Sequence, residues 1–203
     1  MKKLATAIAL AFVAGAASAS TISIQTGDTF EHGLTSATDY AYEVNNNSNL
    51  GAATTIASYD NLALSLSNAS LKSTITFYLA TPTTFDFRAG VDFGGGGALF
   101  VDNTSTFNGG NMWWANSYGD ASQYLALNNV TLSAGDHTLT LYGFEDCCSG
   151  NSQLQYEVVG GSAGFTSFSS TDTLPAVPEA QSFAMLLAGL GLVGTLARRR
   201  KQA

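Results

Sequence analysis

The chain is 203 residues long with a formal net charge of -7, and charged residues make up only 11% of it. Six of its eight basic residues, Lys2, Lys3, Arg198, Arg199, Arg200 and Lys201, sit at the two ends, so Lys72 and Arg88 alone face the fourteen carboxylates between Ser20 and Leu174. A middle region this acidic repels phosphate backbones, which argues against nucleic acid as a partner and suits solubility outside the cell or cation binding.

The amino end reads as a signal peptide, residues 1–19. Lys2 and Lys3 precede an apolar run from Leu4 to Ala17, and Ala17-Ser18-Ala19 fits the small-x-small pattern cut by signal peptidase. Export and cleavage before Ser20 are the expectation. Residues 20–160 then have the size of one domain able to bury a core. They are rich in Gly, Ser, Thr and Asn, a composition that favours short strands joined by turns.

In chain order, Ile22 and Ile24 predict a first strand, and Tyr40 and Tyr42 alternate with smaller residues as in a second. Leu62, Leu64 and Leu66 share one parity and Ile75, Phe77 and Leu79 another, each marking a half-buried strand. Phe85, Phe87, Ala89, Val91 and Phe93 form the longest period-two run, closed by a turn at Gly94-Gly95-Gly96-Gly97 that leads into a strand at 98–102. The segment 103–119, with Asn-Gly-Gly and the pair Trp113-Trp114, reads as loop. Further strands are expected at 124–127, 130–132, 137–144 and 154–159, with a tight turn at Ser133-Ala134-Gly135-Asp136. Together they predict an all-β fold, an antiparallel β-sandwich or jelly roll. Residues 161–176, rich in Gly, Ser and Thr, read as a flexible spacer.

The carboxyl end, 177–203, has three parts: Val177-Pro178-Glu179-Ala180, an apolar run from Ser182 to Ala197, and the cluster Arg198-Arg199-Arg200-Lys201. The run is about 24 Å long as a helix, short for a bilayer core, and is expected as a single transmembrane helix. The basic cluster is the stop-transfer signal that stays cytoplasmic and leaves the acidic region outside.

This tail resembles the PEP-CTERM sorting signal of Gram-negative, exopolysaccharide-producing bacteria. The family motif reads Val-Pro-Glu-Pro, and here Ala180 stands in its fourth position. The resemblance implies recognition by an exosortase-type membrane protease, with cleavage near Pro178-Glu179, a transient inner-membrane anchor, and delivery to the cell surface or extracellular matrix. Gly143-Phe144-Glu145-Asp146-Cys147-Cys148-Ser149-Gly150 resembles the signature of the CCXG-type group of such proteins. More distantly, Asp92 with the glycines, Leu99 to Asp102, the Trp pair and Leu132 to Leu139 resemble the strand order of the protective-antigen-type sandwich of flocculin adhesins and carbohydrate-active enzymes. That likeness implies sugar binding through calcium held by adjacent aspartates, where this chain has Asp92-Phe93.

Several residues carry candidate chemistry. Cys147 and Cys148 are the only cysteines, adjacent in an oxidising compartment, and a disulfide between them is the leading state. Intermolecular pairing and a soft-metal site are the alternatives. Asp92, Asp102, Glu145 and Asp146 are the candidate calcium ligands, with Asp120 in a further turn. Trp113 and Trp114 are the candidate sugar-binding pair; adjacent side chains on a strand point oppositely, so one is expected in the core and one exposed. His32 and His137, the only histidines, fit no nucleophile or zinc spacing, so no catalytic residue is assigned. The sequence therefore predicts an exported surface or matrix protein acting by non-covalent interaction, with extracellular polysaccharide as the partner. A secreted carbohydrate-active or thiol-redox enzyme and a purely structural matrix component are the rivals.

Overall fold

The computed structural model describes residues 19–148 and 150–174. The signal peptide apart from Ala19, the sorting motif at Val177 to Ala180, the expected membrane helix and the cluster Arg198 to Lys201 lie outside these residues. Among the described residues no helix is long and apolar enough to cross a membrane.

Among the described residues, eleven strands form two antiparallel sheets, accompanied by one α-helix. The first contains β1 (Thr21–Gly27), β2 (Thr54–Thr55), β4 (Ala69–Leu79), β6 (Gly97–Val101), β7 (Thr104–Asn108) and β9 (Gly135–Glu145), in the order β2-β1-β4-β9-β6-β7. The second contains β5 (Thr83–Gly90), β8 (Leu125–Leu132), β10 (Asn151–Val158) and β11 (Thr166–Ser167), in the order β11-β10-β5-β8, with β3 (Leu62–Ala63) also on β10. The eleven-residue strands β4 and β9 pair along their whole length, from Ala69↔Glu145 to Leu79↔Gly135.

Period-two alternation sends one face of each sheet into a shared core, so the fold is a β-sandwich. Leu71, Ile75 and Leu79 from β4 and Leu139 and Leu141 from β9 meet Phe85, Phe87 and Ala89 from β5 and Leu154 from β10, all fully buried. Each such Leu, Ile or Phe contributes about 1.5–3 kcal/mol by leaving water. The predicted run continues past β5, since Val91 and Phe93 are buried too.

The fold corrects the sequence-based expectations at five places. Tyr40 and Tyr42 lie on α1 (Ala37–Asn45), so the fold is mostly rather than wholly β. Ser36 caps this helix, its Oγ accepting from the Asp39 amide at 3.1 Å, and Asp39 adds a carboxylate to the first turn. Helical spacing places Ala37, Tyr40 and Val44 on one buried face, against Ala98, Tyr142 and Phe144 on the outer side of the six-stranded sheet. Tyr42 is consequently 65% exposed.

The expected loop after residue 103 begins with β7, which returns from β6 through the two residues Asp102 and Asn103, with Asp102 at φ 49°. The two strands expected at 124–127 and 130–132 are the single β8; Asn129, at φ 56°, absorbs a register shift opposite Phe85 and Phe87. Of the run Leu62, Leu64 and Leu66, only Leu62 is in a strand, and all three pack half-buried on the core.

The expected spacer is tied down as far as it is described. Thr166–Ser167 pairs with β10, Phe168 is fully buried, and Leu174 is 6% exposed. Phe168 stacks on Phe87 with an interplanar angle of 5°, apolar surface that Gly/Ser/Thr content alone conceals.

Candidate functional site

The candidate residues fall into three places. The first is the loop end of the sandwich, where the turn after β5, the Trp loop and the end of β9 converge. Trp113 adopts φ 62°, and its ring lies where a side chain on Gly90 would stand, on the outer side of β5. Its indole Nε1 donates to the Asn151 carbonyl at 2.7 Å. Trp113 is thus 2% exposed and Trp114 66% exposed. The opposite placing expected for the pair holds, although a left-handed turn produces it rather than a strand.

At the same end, Asp92 Oδ2 accepts from the Gly150 amide at 2.6 Å, and burial raises the Asp92 carboxyl above its usual range. Glu145 is 1% exposed, and neither of its carboxylate oxygens has a hydrogen-bond partner among the described residues. Burial first, then the charges of Asp92 and Asp146, push it up to about 7. The backbone amides of Gly94 and Cys147 pull the other way, but neither reaches hydrogen-bonding geometry with it.

Cys147 and Cys148 are free, exposed thiols, without the disulfide expected between them. Cys148 is at φ 68°. The Cys147 thiol is pushed up to about 11, first by its hydrogen bond with Cys148 and then by the neighbouring charges. A thiol held this high is a weak nucleophile at neutral pH.

The second place is the opposite end of β9. Asp102, in the β6–β7 turn, accepts from the Thr138 amide at 3.0 Å through Oδ1 and lies 2.7 Å from His137 Nδ1 through Oδ2. His137 Nε2 lies 2.8 Å from the Ser133 carbonyl. The ring is 6% exposed and both its nitrogens face acceptors, so neither is uncommitted. Six residues separate Leu139, which pairs with Val101 beside Asp102, from Glu145, or about 20 Å along the strand.

The calcium set is therefore not assembled as expected. Asp102 belongs to the far end, Asp92 already accepts from Gly150, and Phe93 is buried across Gly143 and Gly97 where an aspartate pair needs its second carboxylate. Among the described residues no group of three acidic, His or Cys side chains is placed to hold a metal ion. Asp120 caps the short turn at Ala121–Gln123 by accepting from the Ser122 amide at 2.9 Å.

The third place is the outer face of the five-stranded sheet, which the sequence reading missed. Arg88 points outward, and its guanidinium carbon lies 3.7 Å from the ring centroids of both Tyr118 and Phe165. Its Nε donates to Gln155 Oε1 at 2.7 Å. Tyr118 packs 4.5 Å from Trp113 and 5.1 Å from Tyr124, so the clamp continues the aromatic cover begun at Gly90. Burial pushes the Tyr118 phenol up to about 12, with Arg88 opposing. The available signal was Arg88 itself, one of two cations in the region and of outward parity within the run Phe85 to Phe93.

Comparison with known proteins bears on both the tail and the sandwich. Residues 176–201 match the PEP-CTERM protein-sorting motif. The chain carries a PEP-CTERM sorting signal. Such a signal marks an exported protein that an exosortase sorts. Among curated proteins no sequence matches the chain. Among solved structures, the sandwich is similar to the PA14 sugar-binding domain from an RTX adhesin, at 13% identity and a TM-score of 0.50 over 75% of this chain and 97% of that one. It is equally similar to the PA14 domain of the antifreeze protein MpAFP, at 10% identity and a TM-score of 0.50 over 82% of this chain and 100% of that one. At these identities the likeness is one of fold.

Proposed function

We propose that the acidic sandwich is delivered to the cell surface or extracellular matrix, where it binds polysaccharide without chemically altering it. The observation that carries this reading is Trp114, a large aromatic side chain 66% exposed beside a Trp113 that is locked into the fold. An exposed indole on a rigid support offers an apolar plane to the C–H face of a sugar ring. The sugar-binding activity named for the adhesin domain of similar fold supports it, as does a sorting signal that sends the chain out of the cell.

In this reading, Val177, Pro178, Glu179 and Ala180 are the residues the exosortase recognises, and Arg198 to Lys201 hold the chain until it is cut. Two experiments test it. Pull-down on the producing cell's own polysaccharide is expected to recover the wild-type chain and to lose most of it with Trp114→Ala at unchanged circular dichroism. Equal recovery of both would remove Trp114 from the site. Mass analysis of surface protein from exosortase-bearing cells is expected to show chains ending near Glu179, and an intact tail would refute the sorting assignment.

A further inference from the structure

Arg88 is held by two aromatic rings and an amide rather than by a carboxylate. The region from Ser20 to Leu174 has fourteen carboxylates and two cations, yet among the described residues the one acid–base pair within 4.0 Å is that of His137 and Asp102. Arg88 instead lies between two rings, with neutral Gln155 on its Nε. Further bonds fix Gln155: its Nε2 donates to Ser167 Oγ at 3.3 Å, and Ser167 Oγ donates to Asp60 Oδ1 at 3.3 Å. With both guanidinium faces covered, the Nη edge is what remains for a ligand, and the fork is pre-oriented before any ligand arrives.

The surroundings supply the complementary chemistry. One step along the same outward row, Asp86 stands directly across from Glu157 in the β5–β10 register, just as Arg88 stands across from Gln155. Like charges so placed destabilise a strand pair, and neither neutralises Arg88. Asp86 uses Oδ1 to accept from the Asn129 amide. The face therefore presents guanidinium donors, carboxylate acceptors and amides within two cross-strand rows, flanked by the half-exposed rings of Tyr118 and Phe165. That inventory matches a ligand whose hydroxyls both give and accept hydrogen bonds and whose C–H faces are apolar.

We propose that this face, around Arg88, Gln155, Asp86, Glu157, Tyr118 and Phe165, is a binding site for neutral polysaccharide, engaging vicinal hydroxyls through the Arg88 fork. The proposal rests on the polysaccharide reading given above and centres a site on Arg88 of the sheet face. A uronate polymer is the wrong partner, because Asp86, Glu157 and the net negative charge of the whole region repel it.

The test is calorimetric titration of the exported chain with dextran, galactomannan and a soluble β-glucan, with alginate as the carboxylate polymer. Wild type is expected to bind at least one neutral polymer. Arg88→Lys, which keeps the charge and loses the fork, is expected to weaken that binding about tenfold or more, and Phe165→Ala about fivefold. Tyr42→Ala, at an exposed ring on α1 over the other sheet, is expected to stay within about twofold in this assay. Circular dichroism and thermal midpoints establish folding, and Phe165→Ala, at a half-exposed ring, carries the test if Arg88→Lys does not fold. Unchanged binding by folded Arg88→Lys and Phe165→Ala, with loss on Trp114→Ala, overturns the sheet-face site and leaves the polysaccharide reading standing. Binding to alginate alone overturns the neutral ligand. No binding of wild type to any of the polymers overturns the site, while the reading beneath it stands or falls by the pull-down on the cell's own polysaccharide.

Discussion

The outer face of the six-stranded sheet lies under α1, where Tyr40, Val44 and Phe144 are fully buried, whereas the outer face of the five-stranded sheet keeps Arg88, Gln155 and Glu157 partly in water. Both faces carry aromatic side chains, but they use them differently. On the first, Tyr40, Phe144 and Phe30 pack into a second apolar cluster, with ring centroids 6.0 and 6.4 Å apart. On the second, Tyr118 and Phe165 hold a charged group between them. A sandwich needs its inner faces for stability, so an outer face that is covered adds stability, and one left polar and organised is available for contact.

The largest expected effect tests that division. Tyr40→Ala removes a fully buried ring and the hydrogen bond its hydroxyl gives the Gly95 carbonyl at 2.9 Å. It is expected to cost about 3–5 kcal/mol in urea denaturation, as large-to-small core changes do. Phe165→Ala, on the open face, is expected to cost under about 1 kcal/mol. Similar losses from the two variants would mean that both faces serve stability, and the contrast would fail.

A smaller effect comes from the seam where the sheets meet at the loop end. Glu145 rises from 4.5 to about 7, so between these values the folded chain keeps a proton that the unfolded chain releases. Its contribution is therefore most favourable below about pH 4.5, declines as pH rises through this window, and is flat above about 7. Glu145→Gln is expected to flatten that decline and to stabilise the protein at pH 8, by about 1–2 kcal/mol once solvent near the exposed Asp146 and Cys147 is allowed for. Asp92 and Asp172, raised in the same direction by burial, leave a residual slope. Thermal melts from pH 4 to 8 decide it, and an unaltered slope in the variant would clear Glu145 of the role.

What was legible in the sequence follows the same division. Period two exposed the inner faces, because Phe85, Phe87, Ala89, Val91 and Phe93 are buried at every second position whatever surrounds them. The outer faces depend on which distant segment covers them, and alternation carries no record of that. Tyr40 and Tyr42 fit a strand as well as a helix until Ser36 is seen to cap, and Phe165 and Phe168 lay inside a stretch whose Gly, Ser and Thr content suggested a tether. The tail was readable because a sorting signal is linear, whereas Asp102 looked like a partner of Asp92 and Glu145 only while its place at the far end of β9 was unknown.

The last prediction joins the faces to the Trp pair. Gly90 faces outward from β5, and a methyl group there would overlap the six-membered ring of Trp113. Gly90→Ala therefore forces the indole off the sheet and strains its bond to the Asn151 carbonyl, at an expected cost of about 1–3 kcal/mol. Trp114 is already in water, so a red shift in tryptophan emission on this substitution reports Trp113 alone. Because Tyr118 packs between Trp113 and Arg88, the shift is expected to arrive with weakened neutral-polysaccharide binding. A red shift with binding unchanged would mean that the Arg88 clamp stands without its aromatic support, and that the loop end and the open face are independent surfaces.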